Sequence, residues 1–293
     1  MDKIVLGTAQ FGMDYGINNP RGKTPKAEAL EILANAARSG VNIFDTAYTY
    51  GESEQLLGEF IRSDVALVKI ISKLPKCAYA DAEKILDGSL KNLKADKLFG
   101  YLIHDFSGYK DDYRLWQALE NAKIAGKVER IGFSLYLPED LERIFKDDLA
   151  VDMVQVPYSV FDQRFQPYFA ELKQRKIEIY ARSIFLQGLV FKKTNALSPY
   201  FMPAKGKIEG LRLLSKEYGI PVFSLCLNFV LAHKLIDKIV IGIDNIDQFN
   251  ELRRAFQTKI ENSEILANLS KLRIDDEAMV LPFNWPKDQA AVI

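Results

Sequence analysis

Four side chains that can hold or move a proton recur at similar places along this 293-residue chain: Asp45, Tyr50, Lys73 and His104. Each follows an apolar run that reads as a short buried strand. Val41-Asn42-Ile43-Phe44 leads into Asp45, with Tyr50 five positions on. Ala66 to Ser72 leads into Lys73, and Leu98 to Ile103 into His104. A phenol in water has a pKa of about 10 and is a poor acid at neutral pH. An ammonium group beside it favours the phenolate and lowers that value. In this reading Asp45 pairs with Lys73, holding it in place and charged, and Lys73 eases proton release from Tyr50. His104 donates a hydrogen bond to a carbonyl oxygen. Together they protonate a carbonyl oxygen while hydride arrives at its carbon. No side chain supplies hydride, so the chemistry requires a nicotinamide cofactor.

The elements that must position these groups are strands and helices in alternation. The first strand is Lys3 to Gly7. Thr24 is an N-cap candidate and Pro25 a first helical residue for a helix that closes at Ser39-Gly40. Further strands read at Leu98–Ile103, Val128–Phe133, Met153–Val156, Ile177–Ala181 and Lys238–Ile241, with helical patterns between them. Eight such units imply parallel strands joined by crossover helices, and favour a single closed (β/α)8 barrel domain over residues 1–293. A helical and coil tail follows from about Ile260. The competing open doubly wound sheet calls for a Gly-x-Gly-x-x-Gly turn after its first strand. Gly7 and Gly12 do not have that spacing.

Composition narrows the class further. Lys plus Arg and Asp plus Glu stand at 39 each, which offers no basic excess for nucleic acid or an anionic membrane. No apolar run reaches the length of a membrane span, and no leader pattern is visible. The reading is therefore a cytoplasmic protein. Cys77 and Cys226 stand apart, as reduced thiols, and His104 next to Asp105 lacks the ligand count of a metal site. No metal is expected.

The flanks of the four residues carry a family resemblance. Gly7-Thr8-Ala9 and Gly12, Asp45-Thr46-Ala47 with Tyr50-Gly51 and Ser53-Glu54, Lys73, His104, Gly132-Phe133-Ser134, Gln155 with Tyr158-Ser159, and Gln187-Gly188-Leu189 resemble the aldo-keto reductase superfamily. The match runs from the first strand to the eighth. It implies NADPH-linked reduction of an aldehyde or ketone, with Asp45, Tyr50, Lys73 and His104 as catalytic tetrad. Tyr50 and His104 would also face the substrate.

The same resemblance implies cofactor contacts. Gly7, Thr8, Ala9 and Asp45 lie on the first two strand ends, and Ser134 and Gln155 match residues that bind the nicotinamide carboxamide. Arg182 stands where the family places a ring that stacks on the nicotinamide, followed by Ser183, Leu186, Gln187 and Gly188. Ile241, Gly242, Ile243, Asp244, Asn245 and Gln248 resemble the segment that holds the adenosine phosphate. Leu135 stands where the family often has an amide. The family's habit puts NADP(H) first; Asp244 would repel a 2′-phosphate and could instead accept from a ribose hydroxyl, which makes NAD(H) a serious competitor. Phe11, Tyr48, Phe106 and Tyr158 suggest a partly apolar substrate pocket that also suits a sugar-like carbonyl. The expected partner is a small molecule, and the expected state a monomer. Two other classes stand beside the reductase. One is a cofactor-binding auxiliary subunit, since the superfamily includes such subunits of ion channels. The other is a Schiff-base enzyme using Lys73, which would need that lysine unpaired and desolvated.

Overall fold

A computed structural model describes residues 1–62 and 68–286. Eight parallel strands close into a barrel in sequence order: β1 (Ile4–Gly7), β2 (Ile43–Asp45), β3 (Lys69–Leu74), β4 (Leu98–Ile103), β5 (Val128–Ser134), β6 (Met153–Pro157), β7 (Glu178–Arg182) and β8 (Lys238–Gly242). Closure is made by β1 against β8, where Ile4 pairs with Ile239 and Gly7 with Gly242. The expected (β/α)8 architecture is thus present. β3 extends past Lys73 to Leu74, and the start of the anticipated strand at Ala66-Leu67 lies outside the described residues.

Successive residues of a strand point to opposite faces. In β1 this separates Ile4 and Leu6, which pack against the surrounding helices, from Val5, which points inward. The inward set is a compact apolar plug of Val5, Ile43, Ile71, Leu102, Met153 and Tyr180. Its members come from six strands and fill the barrel as a core rather than a pore. The outward strand faces are covered by amphipathic helices such as Lys26–Arg38, with Ala29, Ile32, Leu33 and Ala36 buried.

Helix ends differ in places from the sequence reading. Thr24 does not cap the helix Lys26–Arg38; its hydroxyl donates to the Asp244 carbonyl at 2.9 Å, tying that helix entry to the end of β8. The segment near Gln166 begins as a 3-10 turn, Gln166–Tyr168, because Pro167 restricts its start, and continues as the helix Phe169–Gln174. After β8 a helix runs Ile246–Gln257, capped by Asn245, whose Oδ1 accepts from the Gln248 amide at 2.9 Å. The tail carries the helices Ser263–Ser270 and Glu277–Val280. Trp285 is buried edge-on against Phe201 at 4.9 Å.

Candidate active site

The site is the layer directly above the apolar plug. Asp45 stands two residues beyond Ile43, Lys73 two beyond Ile71, His104 two beyond Leu102, Gln155 two beyond Met153 and Arg182 two beyond Tyr180. A two-residue step keeps the same face of a strand and climbs about 6.6 Å. The strand pattern that packs the core therefore also delivers these polar groups to the C-terminal rim. They line one cavity of about 310 Å³, together with Tyr50, Gly7, Thr8, Ala9 and Ser134.

Tyr50 lies in the loop after β2, and two glycines set its position. A Cβ on Gly12 would fall 1.7 Å from the Tyr50 carbonyl oxygen, and one on Gly51 2.3 Å from the Gly12 carbonyl oxygen. Gly51 also has φ +53, a left-handed conformation that glycine adopts without strain. The turn after β1 and the Tyr50 loop thus touch backbone to backbone. Beneath them the Thr8 hydroxyl donates to the Asp45 carbonyl at 2.9 Å and contacts the Ser53 hydroxyl at 2.6 Å, while Thr46 donates to Ser53 at 3.0 Å. Buried Glu54 accepts from Ser72 at 2.7 Å and from Asn92 at 3.1 Å. These conspicuous motif residues brace the loop.

Lys73 Nζ donates to Asp45 Oδ1 at 2.6 Å and to the Thr46 carbonyl at 2.8 Å. Both side chains are almost wholly buried. The other Asp45 oxygen, Oδ2, accepts a short bond from Gln155 Nε2. Lys73 Nζ lies 5.1 Å from the Tyr50 ring centroid, and the His104 ring stands edge-on to the same ring at 5.6 Å. The Thr49 hydroxyl lies 3.4 Å from His104 Nδ1.

Burial governs the titration of all three groups around the phenol. It holds the Tyr50 hydroxyl well above its ordinary value, reinforced by the negative charge of Asp45 and by Tyr15 and Tyr136, while Arg182 pulls the other way. The sequence reading expects Lys73 to lower Tyr50; in the structure the lysine charge is turned to Asp45 and the phenol stays firmly protonated. Burial also lowers the Lys73 ammonium, against the pull of Asp45. His104 is held well below the usual imidazole range by burial, then by Lys73 and Arg182, so it is neutral at physiological pH.

Most residues expected at the cofactor line the cavity: Gly7, Thr8, Ala9, Asp45, Ser134, Gln155, Arg182, Ser183, Gln187, Gly188, Ile241, Gly242, Asp244 and Gln248. Leu186, Ile243 and Asn245 do not. The first two are buried in the core, and Asn245 caps the helix Ile246–Gln257. The anticipated aromatic pocket is placed elsewhere. Phe11 is core, Phe106 packs on Phe133 at 5.4 Å, Tyr158 packs on Phe169 at 5.3 Å, and Tyr48 is exposed on the outside. The lining aromatics are instead Tyr15, Tyr136, Phe185, Phe191 and Phe223.

Tyr15 arrives on the segment between β1 and the helix Lys26–Arg38, which folds over the rim. It is pinned there by Ile17 N donating to the Gln187 carbonyl at 3.0 Å. Gly188 (φ +91) meets it, since a Cβ there would lie 2.8 Å from Asn18 Cβ. Neither Tyr15 nor Tyr136 carries a motif signal in the sequence.

Arg182 Nη2 donates to the Leu135 carbonyl at 2.8 Å and Nη1 to the Ser183 hydroxyl at 3.1 Å. Its guanidinium sits 4.0 Å above the Tyr136 ring centroid. At the opposite end Asp244 accepts from Gln248 Nε2 at 2.9 Å, and burial raises its carboxyl. Three buried polar atoms of lining residues have no partner within the protein: Gln10 Oε1, Gln187 Oε1 and Arg182 Nε.

Comparison with known proteins agrees with this fold. The family model described as "Aldo/keto reductase family" matches residues 3–271, and the chain belongs to that family of carbonyl-reducing oxidoreductases. An uncharacterized oxidoreductase of Bacillus subtilis, YqkF, is 24% identical, covering 94% of this chain and 98% of the relative. L-galactose dehydrogenase of Arabidopsis thaliana is 25% identical, covering 88% and 84%. In fold, the chain resembles an aldo-keto reductase from Bacillus halodurans solved in its holo form, with TM-score 0.75, 19% identity and coverage of 92% and 91%. The glycerol dehydrogenase of Gluconobacter oxydans is similarly alike, with TM-score 0.75, 17% identity and coverage of 99% and 95%. Among the described residues no helix is long and apolar enough to cross a membrane, and no cluster of metal ligands is found.

Proposed function

We propose that the protein reduces an aldehyde or ketone with a nicotinamide dinucleotide, Tyr50 giving the proton. The observation that carries this reading is the convergence of Tyr50, Lys73–Asp45 and His104 on one cavity, with Lys73 Nζ 5.1 Å from the Tyr50 ring. Burial keeps the Tyr50 phenol protonated across the physiological range and makes it a weaker acid than a free phenol, so the proton transfer relies on Lys73 stabilising the phenolate as it forms. Neutral His104 is suited to donate a hydrogen bond to the substrate oxygen. The Thr49 hydroxyl, 3.4 Å from Nδ1, can donate there, and that tautomer carries the ring proton on Nε2. Lys73, anchored by Asp45 and the Thr46 carbonyl, stabilises negative charge as the Tyr50 proton leaves. The same anchoring argues against a Schiff-base role for the lysine.

The dihydronicotinamide, when bound, supplies the hydride. The lining residues fit such a group. Ser134 and Gln155 would hold its carboxamide beside Asp45, and Gln10 and Gln187 are further polar side chains lining the groove. At the adenosine end the protein supplies its own anions. Ile246 N, at the start of the helix Ile246–Gln257, donates to Glu28 Oε1 at 3.2 Å. Arg21, the neighbouring cation, is already paired with Glu28 at 2.7 Å. A helix N-terminus is a natural phosphate seat, and here a carboxylate occupies it, beside Asp244. This favours NAD(H), whose ribose hydroxyls can donate to a carboxylate, over NADP(H). Fluorescence titration with NADH and NADPH, followed by a carbonyl screen with the tighter ligand, tests the reading. Absence of binding by both would remove it.

A further inference from the structure

We infer that the carbonyl substrate carries a carboxylate and that Arg182 is its counter-ion; this rests on the reductase reading above. Two cations line the cavity among the described residues, Lys73 and Arg182. Lys73 is neutralised by Asp45. Arg182 makes no ion pair with any described residue, and its two hydrogen bonds go to neutral acceptors, the Leu135 carbonyl and the Ser183 hydroxyl. A guanidinium has five N–H donors. Two are used, the one on Nε is buried without a partner, and each Nη keeps one more. Tyr136 covers one face of the group at 4.0 Å, a cation–π contact that fixes the fork without cancelling its charge. Arg182 is half-buried; covering it with bound ligand without a counter-ion would be costly, and a ligand anion offsets that cost.

The place of Arg182 says which anion this is. It ends β7 in the same layer as Asp45, Lys73 and His104, and its field reaches Tyr50, Lys73 and His104. The far end of the cavity is negative, with Asp244 and Glu251. The cavity is therefore polarised, positive where the carbonyl reacts and negative where the adenosine would lie. Tyr15 and Tyr136 add phenol hydroxyls to the positive wall. A carboxylate near the reacting carbonyl meets a rigid fork matched to its two oxygens. The dinucleotide's pyrophosphate is the other anion that could use the fork, and the test separates the two.

Kinetics would compare 4-carboxybenzaldehyde with 4-methylbenzaldehyde, similar in size and different in charge, in the wild type, Arg182→Gln and Arg182→Lys. Calorimetry would measure the non-reacting 4-methylbenzoate on the dinucleotide-loaded protein, and fluorescence would measure NADH affinity in each variant. The expected wild-type kcat/KM is at least about tenfold higher for the acid aldehyde, the size of one charge-assisted hydrogen bond. The ratio falls towards one in Arg182→Gln and is partly kept in Arg182→Lys. 4-Methylbenzoate binding weakens by about tenfold or more in Arg182→Gln, and by a larger factor than NADH binding does. A wild type that does not prefer the acid, or a preference that survives Arg182→Gln, overturns the inference. So does an Arg182→Gln protein that loses NADH affinity while keeping 4-methylbenzoate affinity, because the fork then serves the cofactor. Lack of turnover of both aldehydes by the wild type would strike the reductase reading, and the 4-methylbenzoate titration, which needs no turnover, would still decide the anion site.

Discussion

Removing the Lys73 charge should destabilise the protein strongly, and removing its partner as well should restore much of the loss. Lys73 and Asp45 are 2% and 4% exposed and lie 2.6 Å apart. In Lys73→Met the Asp45 carboxylate keeps only the Gln155 amide as a partner while remaining almost wholly buried. Breaking a buried pair from one side costs about 3–5 kcal/mol, because an uncompensated charge stays behind. At roughly 2 °C per kcal/mol, the lower end for chains of 150–250 residues, this lowers Tm by about 6–10 °C. Asp45→Asn/Lys73→Met removes both charges and leaves a side-chain oxygen for Gln155. A coupling of about 2 kcal/mol or more in the double-mutant cycle is expected, with the double variant more stable than Lys73→Met alone. Urea denaturation of the four proteins measures it. A Lys73→Met cost below about 1 kcal/mol, or additive single effects, would refute the account of Lys73 and Asp45 as a buried, mutually dependent pair.

Other expectations follow from the same geometry. His104 is depressed below its unfolded value, so between the folded value and about 6.5 the unfolded chain binds the extra proton. Stability should therefore fall as pH drops below about 6.5, and His104→Gln should flatten that slope in denaturant titrations run from pH 5 to 8. With Tyr50 raised and His104 lowered, kcat/KM for reduction should be nearly level from about pH 6.5 to 9; a limb centred near 6.5 would mean that His104 titrates normally. Gly12→Ala places a methyl group 1.7 Å from the Tyr50 carbonyl oxygen and must displace that loop. It should cost roughly 100-fold in kcat with the fold retained, and unaltered kinetics would remove the close approach from the account. Asp244→Ala combined with Glu28→Gln should raise NADPH affinity relative to NADH by about tenfold in fluorescence titration, and an unmoved ratio would take both carboxylates out of the cofactor selection.

What the sequence made legible was set by period. The alternation that buries Val5, Ile43 and Ile71 is visible as apolar runs, and the residue two steps past the inward set lands on the rim by strand geometry alone. Asp45, Lys73 and His104 could be placed for that reason, while Gln155 and Arg182 are singled out in the sequence by the family resemblance. Loop direction has no such period. Phe11, Phe106 and Tyr158 looked like pocket walls and turned into core, while Tyr15 reached the cavity through a segment held by the Gln187 carbonyl far along the chain. Glu28 reads as an ordinary helix carboxylate, and its contact with Ile246 joins positions 218 apart in sequence. Thr24 reads as an N-cap for the same reason, while its hydroxyl bonds the Asp244 carbonyl across the neighbouring β1–β8 seam instead of its own helix.

The central claim is that Tyr50 delivers the proton. The most direct measurement is reduction of a carbonyl substrate by Tyr50→Phe alongside the wild type, with dinucleotide affinity followed by fluorescence in both. Phenylalanine keeps the ring against Lys73 and His104 and removes only the hydroxyl. The account predicts dinucleotide affinity close to wild type and a loss of kcat of at least about 100-fold, the lower range of general-acid contributions. A Tyr50→Phe protein that binds dinucleotide and turns over at the wild-type rate would contradict it.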